Sequence, residues 1–523
     1  MEDARANLRE RVKRVRSSNA NDGLQTVVVV GAGIAGLACA RELASHGRFI
    51  VVVLEARDRA GGRICTHSLG KGGIAVDIGA SFIHGVEGNP VAEIIRRVGV
   101  DVHERAACPL YLDNGAPVSR ETDALIEAAF NGTLERAAKR KGAPGVPIEE
   151  SLEAATQRVR PIDLCTPEHC QVFDWHLSNL EYSVNSDLKH VRNVGWDQDD
   201  AFGLEGAHCI VGSVRGMSCV VDELSQDLDV RFGARVTRIE YADSDGARVV
   251  FASLSGEESH IDAHAVVVTV PLGVLQSGDV EFSPPLPLAK RTAIANMGFG
   301  LLNKVVLCFP RKFWGDANAE MFGFCSARRG EMPIFVDLSH EGEPVLCVLV
   351  SGSHAETVES QDDAFVVAHA VAVLKRIFGE DAVPAPVESF VTRWRQDPFA
   401  RGSFSFVKVG ARPTDYDVLM APVGVAGSAA PRVFFAGEHT NRFYPSMVHG
   451  ALFSGVREAR RIAELPLSGL ASSDGLFVDG CKSADALSAV AFAEKYAPAH
   501  VDAVLPPLDA RPLGRVFTSK LQQ

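Results

Sequence analysis

The chain has 523 residues, 46% of them hydrophobic and 23% charged, with a formal net charge of −13. The composition is that of a globular protein, and the length exceeds what one hydrophobic core serves, so two domains are expected. Excess acid disfavours direct contact with nucleic acid, whose phosphates demand a basic face. It suits a small cationic substrate steered in from a distance, and equally an ordinary acidic enzyme, so charge alone does not choose.

Residues 1–23 contain basic residues but no apolar centre, and read as a solvated leader, not a secretory signal. The stretch that follows carries the most information. A β-branched run, Val27–Val30, meets three glycines at GxGxxG spacing, Gly31, Gly33 and Gly36. An Ala- and Leu-rich helix comes next, then an apolar strand ending in Glu55. Gly31 permits the tight turn, Gly33 lets the backbone approach a pyrophosphate, and Gly36 lets helix and strand pack closely. The helix start, where Ala35 lies, offers unpaired N–H groups to phosphates, and Glu55 is spaced to accept from a ribose hydroxyl. Arg57 and the Gly61-Gly62-Arg63 turn add a second glycine pair with an arginine, which suits FAD better than NAD.

The segment AVDIGASFIHG is a short strand turning into a glycine-rich loop, with a helix from Pro90 to Val98 behind it. Residues 120–160 read as helical with a break over Gly142–Pro147, and 170–190 as helix again. Past Gly212 and Gly216 a helix leads to DVRFGARVTRIEY, read as one strand. The segment AHAVVVTVP is apolar almost throughout, as a parallel strand buried on both faces should be. Residues 300–410 alternate strands (LNKVVLCF, PVLCVLVSG) with one clear helix, 362–378. A strand, RVFFAGEHT, breaks at Gly437 before a helix from His449 to Glu464. Residues 466–523 read as a peripheral tail.

Eleven cysteines without a CxxC pair read as reduced thiols of an intracellular protein, with the cytoplasm as the expected compartment. Cys165, His169 and Cys170 cluster, but with no second cluster at zinc spacing no metal site is expected. No apolar run reaches the roughly 18 residues of a membrane-spanning helix, so no membrane partner is expected.

The motifs GAGIAGLACARELASHG, LEARDRAGGR, DIGASFIHG, VTVPLGVL, MGFGLLNKVVLCF, TRWRQDPFARGSFS and FFAGEHTNRFYPSMVHGALFSGVREA resemble those of the flavin-containing amine oxidases. The resemblance covers about Gln25 to Glu464. It implies an α/β fold, a Rossmann-like FAD-binding domain (24–90, 205–280 and 385–465) interleaved with an α+β substrate-binding domain (91–204 and 281–384). It assigns FAD contacts to Gly31, Gly33, Ala35, Gly36, Glu55, Arg57, Gly62, Arg63, Gly79, Ala80, Ser81, Val236, Trp394, Gly437 and Glu438. Lys304, whose charge opens an otherwise apolar strand at a desolvation cost, becomes the catalytic residue that holds a water near the flavin. The implied reaction removes hydride from the carbon next to an amine nitrogen. The imine hydrolyses to aldehyde and amine, and dioxygen is reduced to hydrogen peroxide.

Two branches compete for the substrate, the polyamine oxidases and the lysine-specific histone demethylases. His84 resembles the polyamine oxidases. Asp199 and Asp200 resemble acids lining the demethylase pocket, although Ala201 and Gly203 replace two others. Phe404, Tyr444 and Met447 stand at the aromatic substrate positions, with Met447 leaving the cage incomplete. With only a short segment before Gln25, a helical chromatin-targeting domain at that end is not expected. The span from Asp101 to Trp175 is too short for a corepressor-binding hairpin. The sequence therefore favours oxidation of spermine, spermidine or their acetylated forms, with methyl-lysine demethylation as the alternative and corepressor binding not expected.

Overall fold

A computed structural model describes residues 24–465 apart from 70–73, 101, 105–107, 141–148, 162–165, 212–214, 243–245, 316–320, 340–343 and 425–429. The expected leader and tail, the break over Gly142–Pro147, and Cys165 of the cysteine–histidine cluster lie outside the described residues.

The β-branched run at the start forms β1 (Gln25–Val30), followed by α1 (Ile34–Ser45) and β2 (Phe49–Leu54). The strand side chains of Val27, Val28 and Val29 are fully buried, since helices or further strands cover both sheet faces. The central sheet is parallel throughout, in the order Val433–Phe435, Ala265–Val268, β1, β2, Asp229–Arg231. All four residues of Ala265–Val268 are buried, as its unbroken apolar run requires. The C-terminal helix Val448–Glu464 packs along α1 through Gly455, where an added Cβ would lie 2.1 Å from the carbonyl oxygen of Ala35.

DVRFGARVTRIEY is not one strand. It breaks at Gly233, held at φ +65°, and splits between two sheets. Asp229–Arg231 pairs with β2, whereas Arg235–Glu240 joins a four-stranded sheet with Ala247–Ala252, Glu258–Ala263 and Glu281–Ser283. The cause lies in tertiary contacts: Gly233 N–H donates to the Arg57 carbonyl and Ala234 N–H to that of Glu55. The chain is thereby turned around the end of β2.

A six-stranded sheet forms the second layer, in the order Glu388–Val391, Leu302–Cys308, Val345–Ser351, Ile334–Asp337, Met321–Cys325, Leu110–Leu112. Its pairs are antiparallel except the last. Glu388–Val391 pairs here, although the sequence boundary at 385 put it with the cofactor segments. Helix Pro167–Val184 packs on this sheet. Thr166 caps it, and it ends at Asn185 in the left-handed region, φ +49°. Among the described residues of 300–410 there are two helices where the sequence suggested one, because Gly352–Ser360 precedes Asp363–Phe378.

Among the described residues no helix is long and apolar enough to cross a membrane, and no three metal-binding side chains converge.

Candidate active site

The ends of β1 and β2 shape one wall of a cavity of about 410 Å³. Gly31 adopts φ +106°, and Gly36 lies so close beneath it that a Cβ would meet the Gly31 carbonyl oxygen at 2.0 Å. Gly61 and Gly62 also have positive φ, +97° and +59°. A side chain on this turn would fill the space that the backbone leaves open. Glu55, buried at the end of β2, accepts from Ala32 N–H (2.7 Å) and Arg57 N–H (2.9 Å). Its carboxylate thus faces the glycine turn, and Gly33, Ala35 and Val236 line the same cavity. A glycine-lined turn, a helix N-terminus and a buried acid together fit a dinucleotide.

Arg57, Arg63 and Glu438 line the cavity, and the two arginines also tie distant segments together. Arg57 pairs with Asp397 through two bonds of 2.8 Å, across 340 residues of sequence. Arg63 donates to Glu438 Oε1 (2.9 Å) and to the Ser403 carbonyl (2.7 Å). Glu438 also accepts from Ser405 Oγ (2.6 Å) and Ser446 N–H (3.1 Å). Burial works to raise its pKa, but the Arg63 guanidinium and the other donors hold it below the usual carboxylate range. Both Glu438 oxygens are therefore engaged by protein donors, and the residue knits the cavity wall together. Gly437 precedes it at φ +131°. Ser405 and Asp397 carry this arrangement. Both lie inside the motif TRWRQDPFARGSFS, but nothing local in that motif marks them as partners of Glu438 and Arg57.

Lys304 also lines the cavity. It is the third residue of Leu302–Cys308 and is buried, with Nζ donating to Asp77 O (2.7 Å), Gly79 O (2.8 Å) and Ser81 Oγ (2.9 Å). These three acceptors offset the desolvation that pushes its pKa down. Burial pushes the neighbouring Asp77 up to about 6, against hydrogen bonds from Thr66 and Met217. Trp394 lies alongside, its indole N–H donating to the Ile78 carbonyl (3.3 Å). Lys304 and Trp394 therefore grip the same turn, Asp77–Ser81. Gly79 permits that turn, since its Cβ would collide with the Arg63 carbonyl oxygen at 2.0 Å.

The remaining wall is partly aromatic. His84, Asp199, Phe404 and Met447 line the cavity. Of the expected substrate residues two do not, and Gly36, expected to touch the cofactor, packs beneath Gly31 without lining the cavity. Tyr444 packs on the C-terminal helix, edge-on to His449 (5.2 Å between ring centres) and tilted against Phe453 (5.5 Å). Its place at the wall is taken by Pro445, Ser446 and Met447, because Ser446 turns the chain at φ +65°. Asp200 starts the short turn Asp200–Phe202 and lies beyond Asp199. Tyr182, Tyr416 and His449 line the cavity without having been marked in the sequence. Each comes from a helix whose apolar spacing gives no hint of which side meets the cavity.

Residues 34–463 match the family model of the flavin-containing amine oxidoreductases. The chain belongs to this family. Its cofactor is accordingly FAD, which the glycine turn and Glu55 fit. The lysine-specific histone demethylase 1 homolog 1 of Arabidopsis thaliana is 41% identical over 461 residues, covering 84% of this chain and 52% of that protein. The homolog 1 of Oryza sativa subsp. japonica is 40% identical over 457 residues, covering 84% and 52%. This amine oxidase chain thus spans about half the length of those curated relatives. Its fold is also that of a putrescine oxidase redesigned in its cofactor binding, with a TM-score of 0.67, 19% identity, and coverage of 84% of this chain and 99% of that one.

Proposed function

We propose that this flavin amine oxidase acts on the methylated amine of a lysine side chain within a basic peptide. The observation that carries the reading is the 41% identity to a lysine-specific histone demethylase 1 homolog, extending over 84% of the chain. This reverses the preference drawn from His84 and from the short spans around the fold.

When bound, FAD would supply the redox chemistry for removing hydride from the carbon next to the amine nitrogen and for reducing dioxygen. The protein's part is to hold and exclude. The glycine turn, the start of α1 and Glu55 hold the nucleotide end, and Val236 lies at the same end of the cavity. Gly79–Ser81, Trp394 and Lys304 form the reacting end. There the Lys304 ammonium spends its three N–H bonds on Asp77 O, Gly79 O and Ser81 Oγ and so fixes the turn, leaving none for the water that the family resemblance assigned to it. Phe404, Tyr182 and Met447 exclude bulk water, and the rings of Phe404 and Tyr182 offer faces to a cationic or neutral amine. Asp199 at the wall, with Asp197 and Asp200 near it in sequence, favours approach of a basic chain.

His84 in the wall supports a second reading, oxidation of a free polyamine. One experiment separates the two. The anaerobic yellow protein is mixed with spermine, spermidine, their acetylated forms, or a basic peptide carrying one dimethyl-lysine, and bleaching of the flavin is followed. Rapid bleaching by the peptide alone is expected; rapid bleaching by a polyamine, with the peptide inert, would replace the proposal with the second reading.

A further inference from the structure

Behind the cavity wall lies a buried polar cluster that touches none of the cavity. Glu359, on the helix Gly352–Ser360, accepts at Oε1 from Asn303 Nδ2 (2.9 Å) and Arg395 N–H (2.9 Å). At Oε2 it accepts from Gln396 N–H (3.1 Å), and its carbonyl accepts from Gln396 Nε2 (2.7 Å). Asn303 in turn accepts at Oδ1 from Thr392 Oγ1 (2.9 Å) and from Trp394 N–H (3.2 Å). Thr392 Oγ1 accepts from the backbone N–H of Lys304 (2.7 Å).

Neighbouring residues on a strand point to opposite faces, so Asn303 faces the cluster while Lys304 faces the cavity. The cluster therefore holds the backbone of two residues whose side chains meet again in front, on the Asp77–Ser81 turn. A buried carboxylate is costly unless several donors satisfy it. An apolar residue would pack the helix as well, but would leave the N–H groups of Arg395 and Gln396 without this acceptor.

We propose that Glu359 is a positioning residue of the oxidase site: through Asn303, Thr392 and the Arg395–Gln396 backbone it fixes Lys304 and Trp394 against the Asp77–Ser81 turn. The role concerns the oxidase site itself and holds whichever amine is the substrate.

The test uses the FAD-loaded protein and Glu359→Gln, which keeps the side chain's size but places an NH2 group against backbone N–H donors. Hydrogen–deuterium exchange is read by mass spectrometry over residues 77–83 and 392–397, with the remote strands 235–263 as control. Reoxidation by dioxygen is timed after photoreduction, a step that needs no amine. The expected result is exchange faster by about tenfold in both segments, with the control unchanged, and reoxidation slower by about tenfold. In a Lys304→Met background, Glu359→Gln should add no further slowing. Thr392→Val, which severs only the bonds to Lys304 and Asn303, should give a smaller change of the same pattern, and it carries the test alone if Glu359→Gln does not fold. Unchanged exchange and reoxidation, a uniform rise in exchange over the whole chain, or full additivity with Lys304→Met would each overturn the proposal. A failure of the methyl-lysine reading would leave these measurements intact.

Discussion

Among the described residues two lysines are buried, and they are satisfied in different ways. Lys304 gives its ammonium three oxygen acceptors on the turn that it shares with Trp394. Lys290, on helix Leu288–Asn296, donates to the carbonyls of Val418 and Leu419 (2.8 Å each) at the end of helix Asp415–Met420. Its Nζ also lies 3.9 Å from the ring centre of Phe435, on the strand that leads to Glu438. Burial pushes its pKa down to about 7. Between about pH 7 and the ordinary lysine value the unfolded chain holds more protons than the folded one, so this group's contribution rises with pH across that window and is lost as pH falls through 7. Calorimetry should show the Tm of the native protein rising relative to that of Lys290→Met from pH 7 to pH 9. A constant difference would mean that Lys290 does not titrate in that window.

At the scale of elements, the sequence makes the helix–strand alternation plain, and close approach sets the rest. The C-terminal helix lies on α1 only because Gly455 carries no side chain where Ala35 presents its carbonyl oxygen, 2.1 Å from an ideal Cβ. Backbone atoms cannot rotate away as a side chain can, so Gly455→Ala must separate the two helices. Overpacking of this kind costs roughly 1–3 kcal/mol or more, read as a lower denaturant midpoint. The shift should reach the glycine turn at the start of α1 and weaken FAD retention in the same variant. The split of DVRFGARVTRIEY between two sheets has a similar origin. Its alternation reads as one strand, but Gly233 at φ +65° and the bonds to Arg57 and Glu55 redirect it. Local pattern identified the strand-forming residues and missed the turn, because a single glycine in a strand pattern marks either a bulge or a corner.

For the whole molecule, the cavity is closed by contacts between layers distant in sequence. Lys304 reaches from the six-stranded sheet to Asp77–Ser81, Arg63 reaches Glu438, and Arg57 reaches Asp397. A cofactor bound across these contacts stabilises the folded state by mass action, about 2.7 kcal/mol when free ligand stands at 100 times its Kd. Removing FAD should therefore lower the Tm in calorimetry, and adding it back should restore the value. An unchanged Tm on removal would mean that the described cavity does not take the cofactor.

The β1–α1–β2 unit, the buried strand Ala265–Val268, the glycine turn, Glu55 and the unusual charge of Lys304 were legible in the chain, because spacing and composition act over a few residues. Their family resemblance extended that reading to the cofactor. Tertiary structure alone decided that Tyr444 packs behind the wall, that Glu438 spends its oxygens on Arg63, Ser405 and Ser446, and that Glu359 stands behind Lys304. Each of these depends on which side chains meet after distant segments have packed. A hydrogen bond between residues 340 apart, such as Arg57 to Asp397, leaves no trace in local pattern, because the register that creates it exists only once the sheets are in place.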